Sequence, residues 1–113
     1  MGPPAALLFL AWSAIGPAHA RAVPEEATEI VASRRGFKPD VVNLRRGDTV
    51  RVALSTSDVE HCFAVDALRI EKRIVPGRKT FVELTPDRAG TFPFYCCLEP
   101  GSEALRGRLV VSE

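Results

Sequence analysis

Two short stretches of the 113-residue chain concentrate the side chains able to hold a metal ion or do thiol chemistry. One is Glu60-His61-Cys62; the other is Cys96-Cys97-Leu98-Glu99, with Glu103 four residues further on. A thiolate and an imidazole suit copper or zinc, and a nearby carboxylate can complete the set. The same three cysteines can instead form a disulfide, and their odd number allows one at most within the chain. A Cys and a His also suggest nucleophilic catalysis. The sequence supplies no third residue to orient the imidazole and no oxyanion element, so an enzyme is not expected.

The number of donors depends on where the mature chain begins. Residues 1–20 read MGPPAALLFLAWSAIGPAHA, an apolar stretch followed by Gly16, Pro17 and the small-x-small end Ala18-His19-Ala20. This is the pattern of a secretory signal peptide, although its first residues carry no Lys or Arg, and it is too short to span a bilayer. Cleavage after Ala20 removes Met1, the single methionine, and one of the two histidines, His19. The expected mature chain, 93 of the 113 residues, keeps His61, three cysteines and no methionine. Export places it in the periplasm or outside the cell, where thiols oxidise and at least one stays outside any internal disulfide. No membrane span is expected in the mature chain.

Short strands must carry these residues. Residues 21–27 contain Pro24 and two glutamates and read as a mobile leader ahead of a single domain over 28–113. Seven β-type runs follow, at 28–33, 37–44, 48–54, 61–66, 79–85, 91–96 and 107–112, separated by turn sequences such as Arg46-Gly47-Asp48 and Val75-Pro76-Gly77. Thr49 to Leu54 and Thr80 to Thr85 alternate polar with apolar, as strands with one wet face do. The expectation is an all-β fold, an antiparallel Greek-key β-sandwich of seven or eight strands. Pro39 and Pro93 each lack a backbone donor and belong at edges or bulges. Phe37, Phe63, Phe81, Phe92 and Phe94 fit inward positions, and the best helical candidate is residues 100–105. Successive strand residues face opposite sides, which separates Cys96 from Cys97 and His61 from Cys62 unless the chain turns there. A formal net charge of +1 without a run of like charges gives no basic patch and excludes nucleic acid and anionic membranes as expected partners.

The order of these features resembles the cupredoxins. The run Asp58-Val59-Glu60-His61-Cys62-Phe63-Ala64-Val65, followed by Val75-Pro76-Gly77-Arg78, Leu84-Thr85-Pro86-Asp87 and Ala89-Gly90-Thr91-Phe92, resembles the copper domain of cytochrome oxidase subunit II and nitrous oxide reductase. Gly90-Thr91-Phe92-Pro93-Phe94-Tyr95-Cys96 resembles the strand entering the copper cysteine of plastocyanin. The segment from Leu105 to Val111 is similar to the strand after the ligand loop in both. The resemblance covers nearly all of residues 28–113. It implies copper as cofactor, Cys96 as its cysteine, and a redox partner protein or a copper acceptor. Oxidase activity does not follow, since the chain lacks an oxidase subunit's membrane hairpin.

The departures matter as much. Glu99 stands where mononuclear members carry a histidine three residues after the cysteine, and Leu105 where the axial methionine is expected. The dinuclear members have two cysteines four apart, and Cys62 replaces the glycine that follows the first histidine. With one mature histidine, a single chain cannot supply the usual two-imidazole set. Three arrangements stay open. His61, Cys96 and Glu99 can bind one copper in a monomer, with Glu103, Cys62 or Cys97 as a further ligand. Two chains can share a centre as a metal-bridged homodimer. Alternatively, Cys62 pairs with Cys96 or Cys97 as a disulfide stapling a metal-free sandwich that serves as an interaction module.

Overall fold

The computed structural model describes residues 27–113; the signal-peptide expectation and all of the leader but Ala27 lie outside them. The described residues form nine strands: β1 (Ala27–Ser33), β2 (Gly36–Lys38), β3 (Val41–Arg45), β4 (Val50–Thr56), β5 (His61–Val65), β6 (Ile70–Ile74), β7 (Thr80–Leu84), β8 (Gly90–Tyr95) and β9 (Arg106–Ser112). They make two sheets, ordered β2-β1-β4-β7 and β3-β9-β8-β5-β6. Alternation sets the faces. Ile30 and Ala32 of β1, Val82 and Leu84 of β7, Phe92 and Phe94 of β8, and Leu109 and Val111 of β9 are buried, while residues between them face outward or are only half-buried.

Nine strands replace the expected seven or eight for two reasons. The run at 37–44 is two strands: β2 pairs with β1 and β3 with β9, so the chain changes sheet around Pro39 and Asp40. The other addition, β6, carries exposed Glu71, Lys72 and Arg73 at its centre and shows no alternation. It forms one edge of the five-stranded sheet, where charged side chains keep other chains from pairing. The pairing is also mixed rather than wholly antiparallel, since β1 runs parallel to β4 and β3 parallel to β9.

Three local expectations change. Pro93 sits in β8, an interior strand, but β8 meets β5 only at the Ala64↔Tyr95 pair, so the missing N–H interrupts no ladder on that side. Phe81 is 46% exposed, and the Arg51 guanidinium covers its ring at 4.1 Å; it sits outside the core. Residues 100–105 are turns, with the Leu105 N–H donating to Ser102 Oγ, and six residues are too few for a helix to hold without packing. The helical element present is a single 3₁₀ turn at Asp66–Leu68.

The end of the core below β5 and β8 is aromatic. Phe37, Phe63 and Phe94 meet with ring centroids 5.0–6.2 Å apart, Phe37 edge-on to both others. Such pairs add roughly 0.5–1.5 kcal/mol each beyond burial. Gly107, opposite Phe94 in the β8–β9 ladder, makes room for this packing: a Cβ there would run into the Phe94 ring and the Asp40 carbonyl.

Candidate functional site

Three connections converge at one end of the sandwich: the β1–β2 turn, the β4–β5 loop and the segment after β8. The Ser57 N–H donates to the Ala32 carbonyl at 3.0 Å and the Arg34 N–H to Asp58 Oδ2 at 2.8 Å, tying the first two together. A Cβ at Gly36 would strike the Ala104 carbonyl, so the turn also abuts the third. That third segment is pinched at its base, where the Cys96 N–H donates to the Leu105 carbonyl at 3.2 Å, and it turns at once through a Glu99 N–H to Cys96 carbonyl bond.

Alternation and register then sort four residues into two pairs. In β5, His61, Phe63 and Val65 share one face and Cys62 and Ala64 the other. Phe63 packs against Phe37 of the facing sheet, which makes the first face the inner one. Continuing the antiparallel Ala64↔Tyr95 register by two residues sets Cys62 opposite Cys97, and the two are joined as a disulfide with Cα atoms 5.2 Å apart. Cys96 remains a free, fully buried thiol. It lies diagonal to His61, whose Nδ1 is 3.9 Å from its Sγ. The histidine is also completely buried, the one polar or charged side chain so placed among the described residues.

Asp58 holds the ring. Its Oδ1 lies 2.8 Å from His61 Nε2 and accepts the Val59 N–H at 2.6 Å, while Oδ2 takes the Arg34 N–H. These backbone donors, Arg34 first, and then the imidazole hold its carboxyl well below the usual carboxylate range. A carboxylate can only accept, so in the neutral ring Nε2 carries the proton and the Nδ1 lone pair faces Cys96. Asp58 was singled out by no composition or spacing argument. The signal available was Thr56-Ser57-Asp58 ahead of a strand: Thr56 Oγ accepts the Asp58 N–H and donates to the Val59 carbonyl, a turn of the kind Thr and Asp favour.

The other sequence candidates sit elsewhere. Glu99 and Glu103 are exposed on the loop beyond Cys96, and Leu105 is buried in the core. With Cys62 and Cys97 bonded to each other, neither thiolate is free to bind a metal in this state. Tyr95 faces away from Cys96 by alternation and donates to Asp66 Oδ1 at 3.0 Å, which pushes its phenol upward. For a metal, the donors fit in part. Bonds of roughly 2.0–2.3 Å to nitrogen and sulfur together reach about 4.3 Å, so one ion can bridge Nδ1 and Sγ. Among the described residues, no three His, Cys, Asp or Glu side chains are already gathered around such a point.

These elements make a two-sheet β-sandwich with a buried thiol and imidazole facing each other at one end. The chain belongs to the cupredoxin family, whose cupredoxin-like domain matches residues 5–111. It is 38% identical over 53 residues to probable cytochrome c oxidase subunit 2 of Streptomyces avermitilis and of Streptomyces coelicolor. That match spans 47% of this chain and 17% of each relative. The fold superimposes on the periplasmic domain of cytochrome oxidase subunit II from Bradyrhizobium japonicum, with a TM-score of 0.70 at 15% identity, covering 83% of this chain and 88% of that one. It also superimposes on the metal-binding domain of the Streptococcus pneumoniae Cu(I)-exporting P-type ATPase, solved with Cu(I), with a TM-score of 0.64 at 20% identity, covering 77% and 85%. Among the described residues, no helix is long and apolar enough to cross a membrane.

Proposed function

We propose that this chain is an exported copper-binding cupredoxin that carries one electron, anchoring the metal with His61 and Cys96. The observation that carries the reading is the buried pair itself, with Nδ1 and Sγ 3.9 Å apart and Nε2 held by Asp58. A carboxylate that fixes the far nitrogen of a metal-binding imidazole is a recurrent support for such ligands. Glu99, exposed on the adjoining loop, supplies the third donor by a movement of that loop, and its carboxylate would favour Cu(II) and lower the potential. Because both anchoring donors are fully buried, electron transfer is favoured over delivery, which needs an open site with exchangeable ligands. The oxidase activity of the much longer Streptomyces relatives is not extended to this chain.

A second reading rests on one observation, the Cys62–Cys97 disulfide. It makes the domain a stapled, metal-free interaction module, with His61 and Cys96 as satisfied core residues. Titrating the purified chain with Cu(II) and Cu(I) and recording absorption beside a thiol count decides between them. A thiolate-to-copper band at one copper per chain, lost in His61→Ala, supports the copper reading. No band, with one thiol counted after unfolding without reductant, leaves the stapled module. One copper per two chains, with doubled mass, assigns the metal to a shared dimeric centre.

A further inference from the structure

The sequence gives no reason to expect a basic patch, yet the fold assembles one. Arg34 and Arg35 in the β1–β2 turn and Lys38 at the end of β2 line a surface cavity of about 460 Å³ with Val31, Ser33, Ser57 and Asp58. Five cations elsewhere on the surface have local partners. Arg46 pairs with Glu113, Arg73 with Glu60 and Lys79 with Glu29, at 2.8–3.1 Å, and the Arg51 and Arg88 guanidinium groups lie over Phe81 and Phe92. Among the described residues, the side chains of Arg34, Arg35 and Lys38 have no carboxylate within ion-pair distance. Asp58, ionised in the same wall and hydrogen-bonded by the Arg34 and Val59 N–H groups and the His61 ring, offsets one of the three charges and leaves the cavity with an excess of two positive charges.

We propose that this cavity docks an acidic segment of a partner protein. All three cations are exposed, so the hollow lacks the desolvated, enclosed donors that hold a single small anion. It is instead wide, rimmed by three long basic side chains and two serine residues, with Val31, 36% exposed, on its wall. That arrangement suits several consecutive carboxylates, which long-range attraction would steer in. Asp58 in the same wall is one hydrogen bond from His61, so a docked partner lies against the end of the sandwich that carries the buried pair. The inference holds with or without copper.

The test titrates a hexaglutamate peptide into the full chain and follows backbone amide resonances. Shifts are expected at Ser33 to Lys38 and at Ser57 and Asp58, with affinity falling about tenfold between roughly 20 and 200 mM salt. The triple variant Arg34→Gln, Arg35→Gln, Lys38→Gln should bind about tenfold more weakly, while the charge-matched triple Arg45→Gln, Lys72→Gln, Arg108→Gln stays within about twofold. Thermal midpoints of both variants establish that each is folded. Equal loss in the two variants, shifts centred on Arg45 to Asp48, or no binding at low salt would overturn the proposal. Inorganic phosphate binding as tightly as the peptide would also overturn it, in favour of a small-anion site.

Discussion

His61 and Cys96 face the interior of the sandwich, whereas their immediate chain neighbours, Cys62 and Cys97, meet on the other side of the same sheet. The inner pair is an unbonded thiol and imidazole, 3.9 Å apart and aligned by Asp58. The outer pair is a closed covalent link across 35 residues. Four residues from two dipeptides thus divide between a position poised for chemistry and one that fixes the frame around it. Vicinal cysteines therefore need not compete for one role. Strand alternation assigns each to a separate side, and the cross-strand register decides which partner it finds.

Because the two pairs are separate, each can be broken without converting it into the other. The largest effect is on metal binding: Cys96→Ala should abolish the copper absorption band altogether, while Cys62 and Cys97 stay oxidised by mass and thiol count. Replacing Cys62 and Cys97 together by serine should do the reverse. The link closes a loop of 35 residues, for which the chain-entropy account gives about 3–4 kcal/mol, read as a thermal midpoint lowered by about 4–8 °C per kcal/mol. Copper stoichiometry in that variant should stay at one per chain.

Asp58→Ala tests what aligns the inner pair. Loss of the carboxylate that orients a ligating histidine should weaken copper binding about 10–100-fold without abolishing it, measured by competition with a chelator. The smallest expected effect is on pH dependence. Asp58 is held below its ordinary value in the folded state, so its contribution is fully present above about pH 3.9 and is lost as pH falls below that toward the native value. The wild-type chain should therefore lose stability in that acid window, by urea unfolding, more steeply than Asp58→Asn.

Most of the sandwich could be read from local patterns, because β1, β7, β8 and β9 bury alternate residues that are visibly apolar. What escaped reading was set by distant neighbours. The charged centre of β6 pairs as a strand beside β5, and Phe81, on the face of β7 opposite Val82 and Leu84, lies outside the core, where Arg51 from the adjacent strand β4 covers its ring. At the site, alternation was enough to separate Cys96 from Cys97. It could not say which cysteine Cys62 would meet, because that follows from the Ala64↔Tyr95 register between strands joined by a long connection. The role of Asp58 was hidden for a similar reason: two of its three principal donors are local, but the one from Arg34 comes from another turn.

The position of β9 carries a consequence for how the molecule is made. The final strand lies between β3 and β8, with Val41 paired to Arg108, so the five-stranded sheet has a gap until residues 106–112 arrive. A chain synthesised from its N-terminus therefore leaves both flanking strands without this partner until residues 106–112 have been made, and contacts of such long sequence separation slow folding. Removing β9 would leave β3 without a sheet, so the arrival of this strand, rather than any earlier step, commits the domain to its native topology.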